Sequence, residues 1–222
     1  MQNWSKTYSQ CGEDTILLFI IKHYLRLPHS YYLDIGANEP EKFNNTQLLY
    51  EDGIMGVSID ANPLFKHMHD TSRPKAKYVT CGVGSEKGKA IFYEIDPHTL
   101  STLSEKEAES YVKESGHTLV AKHKIKVKTI PSIIKKYCDE VPNIFSLDVE
   151  GLDLEILESL EFSDWRPAII CVETISYSNN GKQKKSKDIL KYLQSKNYTI
   201  YADTYINTIF IDGQELAKRN LQ

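Results

Sequence analysis

Acidic residues stand where several short apolar runs stop. Asp34 closes YYLD (31–34), Asp60 closes GVSID (56–60), and Asp148 closes IFSLD (144–148) with Glu150 two residues on. Glu173 closes AIICVE (168–173). A carboxylate is costly at a buried position unless it is paired or liganded, so several at one edge of a sheet indicate a site. Alternation along an extended chain sends Asp148 and Glu150 to the same side if the strand persists through both. Converging acids repel each other, and a proton or a hard cation such as Mg²⁺ or Mn²⁺ relieves the repulsion. Such a set can take the proton from an acceptor hydroxyl. Asp148 is the expected general base or metal ligand, Glu173 its partner and second metal ligand, and Glu150 the residue that orients the acceptor.

The turn after Asp34 is Gly36-Ala37-Asn38. A dinucleotide fingerprint needs further glycines at fixed offsets, and Pro40, Glu41 and Lys42 stand there instead. Glu39 and Glu41 would also repel a diphosphate. Asp60, 26 residues after Asp34, is placed to accept two hydrogen bonds from a ribose diol. A phosphate-free nucleoside with its other end at the first loop describes S-adenosylmethionine. Asp34, Gly36 and Asn38 are then expected around its amino-acid end, Asp60 on the ribose, and Cys81 and Gly82 near the adenine.

The elements that must hold these residues read as an alternation. Strands are expected at 31–35, 56–60, 77–81, 144–148 and 168–173, nearly continuously apolar as in a sheet covered on both faces. Helices are expected at Thr46–Asp52, Pro63–Asp70, Pro131–Asp139, Asp153–Leu160 and Ser186–Lys196, with Gln10–Leu27 as an amphipathic helix laid on the sheet. YTIYAD (198–203) and NTIFID (207–212) lie too close for a parallel crossover and must pair antiparallel. The whole is one domain, residues 1–222, α/β and Rossmann-like: a mostly parallel seven-stranded sheet with an antiparallel last strand and helices on both faces. Residues 94–128 break the alternation and read as a polar, partly helical insertion or lid. His98, His117 and His123 within it read as surface histidines. Tyr111 and Tyr177 are candidates for packing on a sugar face.

Bulk properties narrow the classes. The chain has 222 residues and a net charge of −3, without the basic balance typical of a nucleic-acid surface. The start, MQNWSKTYSQ, shows no secretory pattern, and ILLFII (16–21) is too short to cross a bilayer. Four cysteines without CxxC spacing read as reduced thiols of a cytoplasmic protein. GKQKKSK (181–187) reads as the solvated start of a helix.

Several stretches carry a more specific signal: SQCGEDTILL (9–18), LDIGANEPEKFNNTQLL (33–49), GVSIDANP (56–63), CGVGSEKGKAIFY (81–93), FSLDVEGLDLEIL (145–157) and WRPAIICVET (165–174). On these the sequence resembles the FkbM-type methyltransferases, and the strand pattern resembles the class I methyltransferase fold. The resemblance implies S-adenosylmethionine as cofactor and O-methylation of a sugar or a hydroxylated natural product. A nucleotide-activated sugar of a capsular or other surface polysaccharide is the acceptor it points to. It also implies that Gln10 and Asp14 close over the cofactor. Asp60-Ala61 departs from the Glu-Pro common in the family at this place. An NAD-dependent oxidoreductase lacks its phosphate loop here. A non-catalytic nucleotide- or sugar-binding protein of the same fold would not need Asp148, Glu150 and Glu173.

Overall fold

In the computed structural model, which describes residues 6–175, 184–219 and 221, five parallel strands form the frame of a larger sheet. They are β1 (Tyr31–Ile35), β2 (Met55–Asp60), β3 (Lys77–Thr80), β7 (Ile144–Leu147) and β8 (Ile169–Glu173). β9 (Tyr198–Asp203) and β10 (Asn207–Asp212) complete a seven-stranded sheet in the order β3-β2-β1-β7-β8-β10-β9, with β10 antiparallel to both of its neighbours. The strand order reverses between β1 and β7, which opens a crevice beyond their carboxyl ends.

β1 is buried along its whole length because helices cover both faces. On one side α5 (Ile130–Tyr137), α6 (Asp153–Glu158) and α7 (Lys187–Ser195) supply Ile133, Ile156, Leu157 and Leu193 to a core with Leu33, Ile35 and Phe145. On the other, α1 (Glu13–Phe19) and α2 (Gln47–Glu51) place Leu17, Leu18 and Leu49 against Tyr32, Ile144 and Ile209. α3 (Phe65–Ser72) leads into β3, and α8 (Gly213–Arg219) follows β10.

Three expectations need correction. The helix over Gln10–Leu27 starts only at Glu13, behind left-handed Gly12, and passes into a π-helical turn at Ile20–Tyr24. The fourth strand stops at Leu147, leaving Asp148 in the following loop. Residues 94–128 hold the expected helix, but both ends of the segment run as strands of a second sheet. β5 (Gly88–Asp96) and β6 (Thr118–Lys128) pair antiparallel, β4 (Gly82–Val83) adds a parallel edge, and α4 (Glu105–Lys113) spans the hairpin. Tyr93, Ile95, Leu100, Ala108 and Tyr111 give it a small core of its own. Tyr177 and residues 181–183 of the lysine-rich run lie outside the described residues; Ser186 caps α7, its hydroxyl accepting from the Ile189 amide.

Candidate active site

The crevice beyond β1, β2 and β7 is an open cleft between the two sheets. Its floor is the main sheet, through Ile35, Gly36 and Ile59. Its roof is the small sheet and the turn after it, through Phe92, His98, Thr102 and Leu103.

The first loop is held at every step. The amides of Gly36 and Ala37 both donate to the Ile59 carbonyl, at 2.9 and 3.0 Å. Gly36 has φ +78°, and a Cβ there would fall 1.6 Å from the Asp148 carbonyl oxygen, so no other residue fits. The Asn44 amide group donates to the Ala37 carbonyl at 2.6 Å. Arg73, 1% exposed, donates to the Pro40 carbonyl at 3.1 Å and to the Thr46 and Ser58 hydroxyls at 2.9 and 3.2 Å, and also reaches Asn44 and Gln47. The NNT stretch is thus the inner brace of the loop.

Asp60 accepts from the Asn62 amide at 2.8 Å and the Asn38 amide at 2.9 Å, one on each carboxylate oxygen. Burial pushes its carboxyl up to about 6, with the two amides pulling the other way. Each oxygen keeps a lone pair for a further donor. Beside it, Asn62 uses its side-chain oxygen to accept from the Leu64 amide at 3.0 Å, while its buried Nδ2 has no partner among the described residues. His98 lies across the cleft with Nε2 3.0 Å from Glu39 Oε1, without hydrogen-bond alignment.

At the other end of the cleft, Asp148, Glu150 and Glu173 each offer a carboxylate oxygen, all within 4.8 Å of one another. A continuous strand does not bring them together. The Asp148 amide donates to the Ile35 carbonyl at 3.0 Å, and then Glu150 takes a left-handed conformation (φ +52°). Asp153 accepts from the Val149 and Gly151 amides at 3.1 and 3.3 Å and so shapes the turn. Glu150 is free of that capping duty; instead it accepts from the Tyr111 hydroxyl at 2.9 Å. Asp148, Glu150 and Glu173 each stay partly open to the cleft, though protein surrounds them. Among the described residues none of the three forms an ion pair. Burial, then mutual repulsion, raises Asp148 and Glu173 well above the usual carboxylate range. Burial carries Glu150 up to about 8, against the pull of the Tyr111 hydroxyl.

Of the residues expected at the site, Gln10, Gly36, Asn38, Asp60, Ala61, Cys81, Gly82, Asp148, Glu150 and Glu173 all line the cleft. Asp34 does not. It precedes Ile35, and alternation turns it to the opposite face, where it accepts from the Thr46 hydroxyl at 2.5 Å. Its role is to hold the loop from beneath. Asp14 is likewise internal, accepting from the Tyr8 amide at 2.7 Å and from the Thr7 and Ser9 hydroxyls. Tyr111 is 4% exposed and is not among the residues that line the cleft. His98 is not a free surface residue, His123 pairs with Glu94 at 2.7 Å, and His117 is half-buried. Asn62, Phe65 and Phe92 line the cleft and went unnoticed in the sequence. Asn62 had a usable signal, since it follows the strand-end acid by two residues.

A crevice at a topological switch point of a mostly parallel sheet is where α/β proteins of this class bind their ligands. Residues 34–200 match the Methyltransferase FkbM domain, and the chain belongs to that family of methyltransferases. Searches of curated proteins and of solved structures each found no match.

Proposed function

We propose that this methyltransferase uses S-adenosylmethionine to methylate a hydroxyl of a sugar or sugar-containing acceptor, with a nucleotide-activated sugar as the form suited to the family. Asp60 carries the reading: a buried carboxylate with spare acceptor capacity, facing a cleft whose first loop has no phosphate cradle. The unpartnered Asn62 Nδ2 beside it suits a ring-nitrogen acceptor of adenine. Gln10, Gly36 and Asn38 line the end where the amino-acid part would lie, and Cys81 and Gly82 the adenine end. When bound, the cofactor supplies an electrophilic methyl group carried on a sulfonium.

The chain's own contribution is alignment and proton removal. Alignment of reactants supplies about 7–11 kcal/mol in favourable cases. Asp148, ionised, accepts the proton of the acceptor hydroxyl, and Glu173 shares the charge beside it. Glu150, fixed by Tyr111, accepts a hydrogen bond from a neighbouring hydroxyl and so orients the acceptor. The three carboxylates also have the all-oxygen character that Mg²⁺ and Mn²⁺ take. A divalent ion on Asp148 and Glu173 would lower the acceptor's pKa.

Calorimetry tests the cofactor assignment. S-adenosylhomocysteine binds, and Asp60→Ala weakens it by about 1–3 kcal/mol, the cost of leaving hydroxyl donors unpaired; equal affinities remove Asp60 from the ribose. For the chemistry, Asp148→Asn lowers turnover by about 10²-fold or more. Turnover that persists after exhaustive EDTA treatment sinks the metal-assisted version.

A further inference from the structure

The outer face of the small sheet is a lysine field, in a chain whose net charge is −3. Lys124, Lys126 and Lys128 alternate along β6, and Lys89 stands directly opposite Lys126 on β5. Like charges in cross-strand register repel. Lys135 and Lys136 of α5 line the far side of a groove that Lys87, Lys89, Lys126 and Lys128 line on the near side. Among the described residues no carboxylate pairs with any of these seven. The field ends at Lys122, which lies over the Tyr93 ring at 4.9 Å and faces Glu109 of α4. The inner face of the same hairpin carries Phe92 toward the cleft, so an occupant of the outer face leaves the cleft open.

We propose that this face docks the protein on an anionic lipid surface. A cluster of four to eight basic residues on one face is the pattern that attracts acidic headgroups. Lysine is a hydrated point charge on a flexible stem, suited to a diffuse surface potential, whereas arginine forks suit bidentate phosphate recognition. The field has no arginine. Ile91, exposed and opposite Lys124, adds an apolar group at its centre, and exposed Val120 adds another at its end. Nucleic acid fits less well. Single strands need aromatic rings free for stacking. Tyr93 is 8% exposed, and the ammonium groups of Lys128 and Lys136 lie over Tyr137 at 5.6 and 5.2 Å.

The test is sedimentation of the full chain with phosphatidylcholine vesicles containing or lacking about one-third phosphatidylglycerol. The protein co-sediments with the anionic vesicles only, and 0.5 M NaCl releases it. At about fivefold per lysine, the variant Lys89→Gln/Lys124→Gln/Lys126→Gln/Lys135→Gln loses at least 100-fold in partitioning. The control Lys66→Gln/Lys106→Gln/Lys113→Gln does not, and equal circular dichroism of both variants shows intact folds. No binding to anionic vesicles, or equal binding by the four-lysine variant, overturns the proposal. Tighter binding to single-stranded DNA than to vesicles at equal phosphate overturns it in favour of a nucleic-acid surface.

Discussion

The acidic residues show how position along a strand decides between chemistry and support. Asp34 and Asp60 both sit at the ends of apolar runs, yet only Asp60 faces the cleft. Asp34 pairs with Ser58, so Asp60 stands two residues further along, past the end of β1 where the crevice opens. The raised carboxyls have a consequence for stability. Glu150 holds its proton to about 8 in the fold, against an ordinary value of 4.5 in the unfolded chain. Asp60, Asp148 and Glu173 shift the same way. Between those limits the native state binds more protons than the unfolded state, so stability falls as pH rises. Thermal unfolding of the unliganded protein should therefore show a Tm that declines from pH 5 to pH 8.5. Glu150→Gln removes one contributor and gives a shallower decline. A mutant slope as steep as that of the wild type would show that Glu150 titrates normally.

At the level of elements, the main sheet was legible because its strands are short apolar runs bounded by glycine, asparagine and acids. Each of the five parallel strands was placed to within a residue or so, and the reversed last strand followed from the three-residue spacing of the hairpin. The small sheet was not legible. KHKIKVK alternates lysine with apolar residues, and its polar half reads as solvated chain until the partner strand GKAIFYEID is known to pair with it. Long-range pairing is information that a local window lacks. The cluster of three acids was read correctly as a set but for the wrong reason, since a left-handed turn, and not strand alternation, gathers it. Arg73 was invisible for the same reason as the small sheet: all its partners are 15 or more residues away in sequence. Arg73→Met would leave the Pro40 carbonyl and the Thr46 and Ser58 hydroxyls without their donor and Asp34 without its nearest cation. A buried charge network broken on one side loses about 3–5 kcal/mol. Urea unfolding should show that loss as a lower midpoint. Cofactor affinity should fall with it, because the first loop hangs on this side chain. An unchanged midpoint would mean that the loop holds itself.

At the scale of the molecule, the cleft lies between two sheets that meet at one edge, where Cys81 and Val83 join the main core. β1, β2 and β7 supply its floor, and β5 with the 98–103 turn supplies its roof. Across the cleft, among the described residues, the Thr102 hydroxyl donates to the Glu150 carbonyl at 2.9 Å and the Tyr111 hydroxyl to the Glu150 carboxylate, while His98 lies beside Glu39 and packs edge-on to Phe65. Elements tied by few contacts open at lower free energy than the core they rest on. A ligand filling the cleft adds contacts to both sheets at once, and it stabilises by mass action whatever arrangement it binds. S-adenosylhomocysteine should therefore slow amide exchange in β5 and in the 98–103 turn more than in β7 or β8, which are already closed. At a hundredfold excess over the dissociation constant the gain is about 2.7 kcal/mol, or close to 100-fold in the exchange of amides that open with the roof. Phe92→Ala should shrink that protection while leaving the Asp60 contacts in place. Protection confined to the main sheet, with the roof unchanged by ligand, would show that the small sheet only borders the cofactor and takes no part in closing over it.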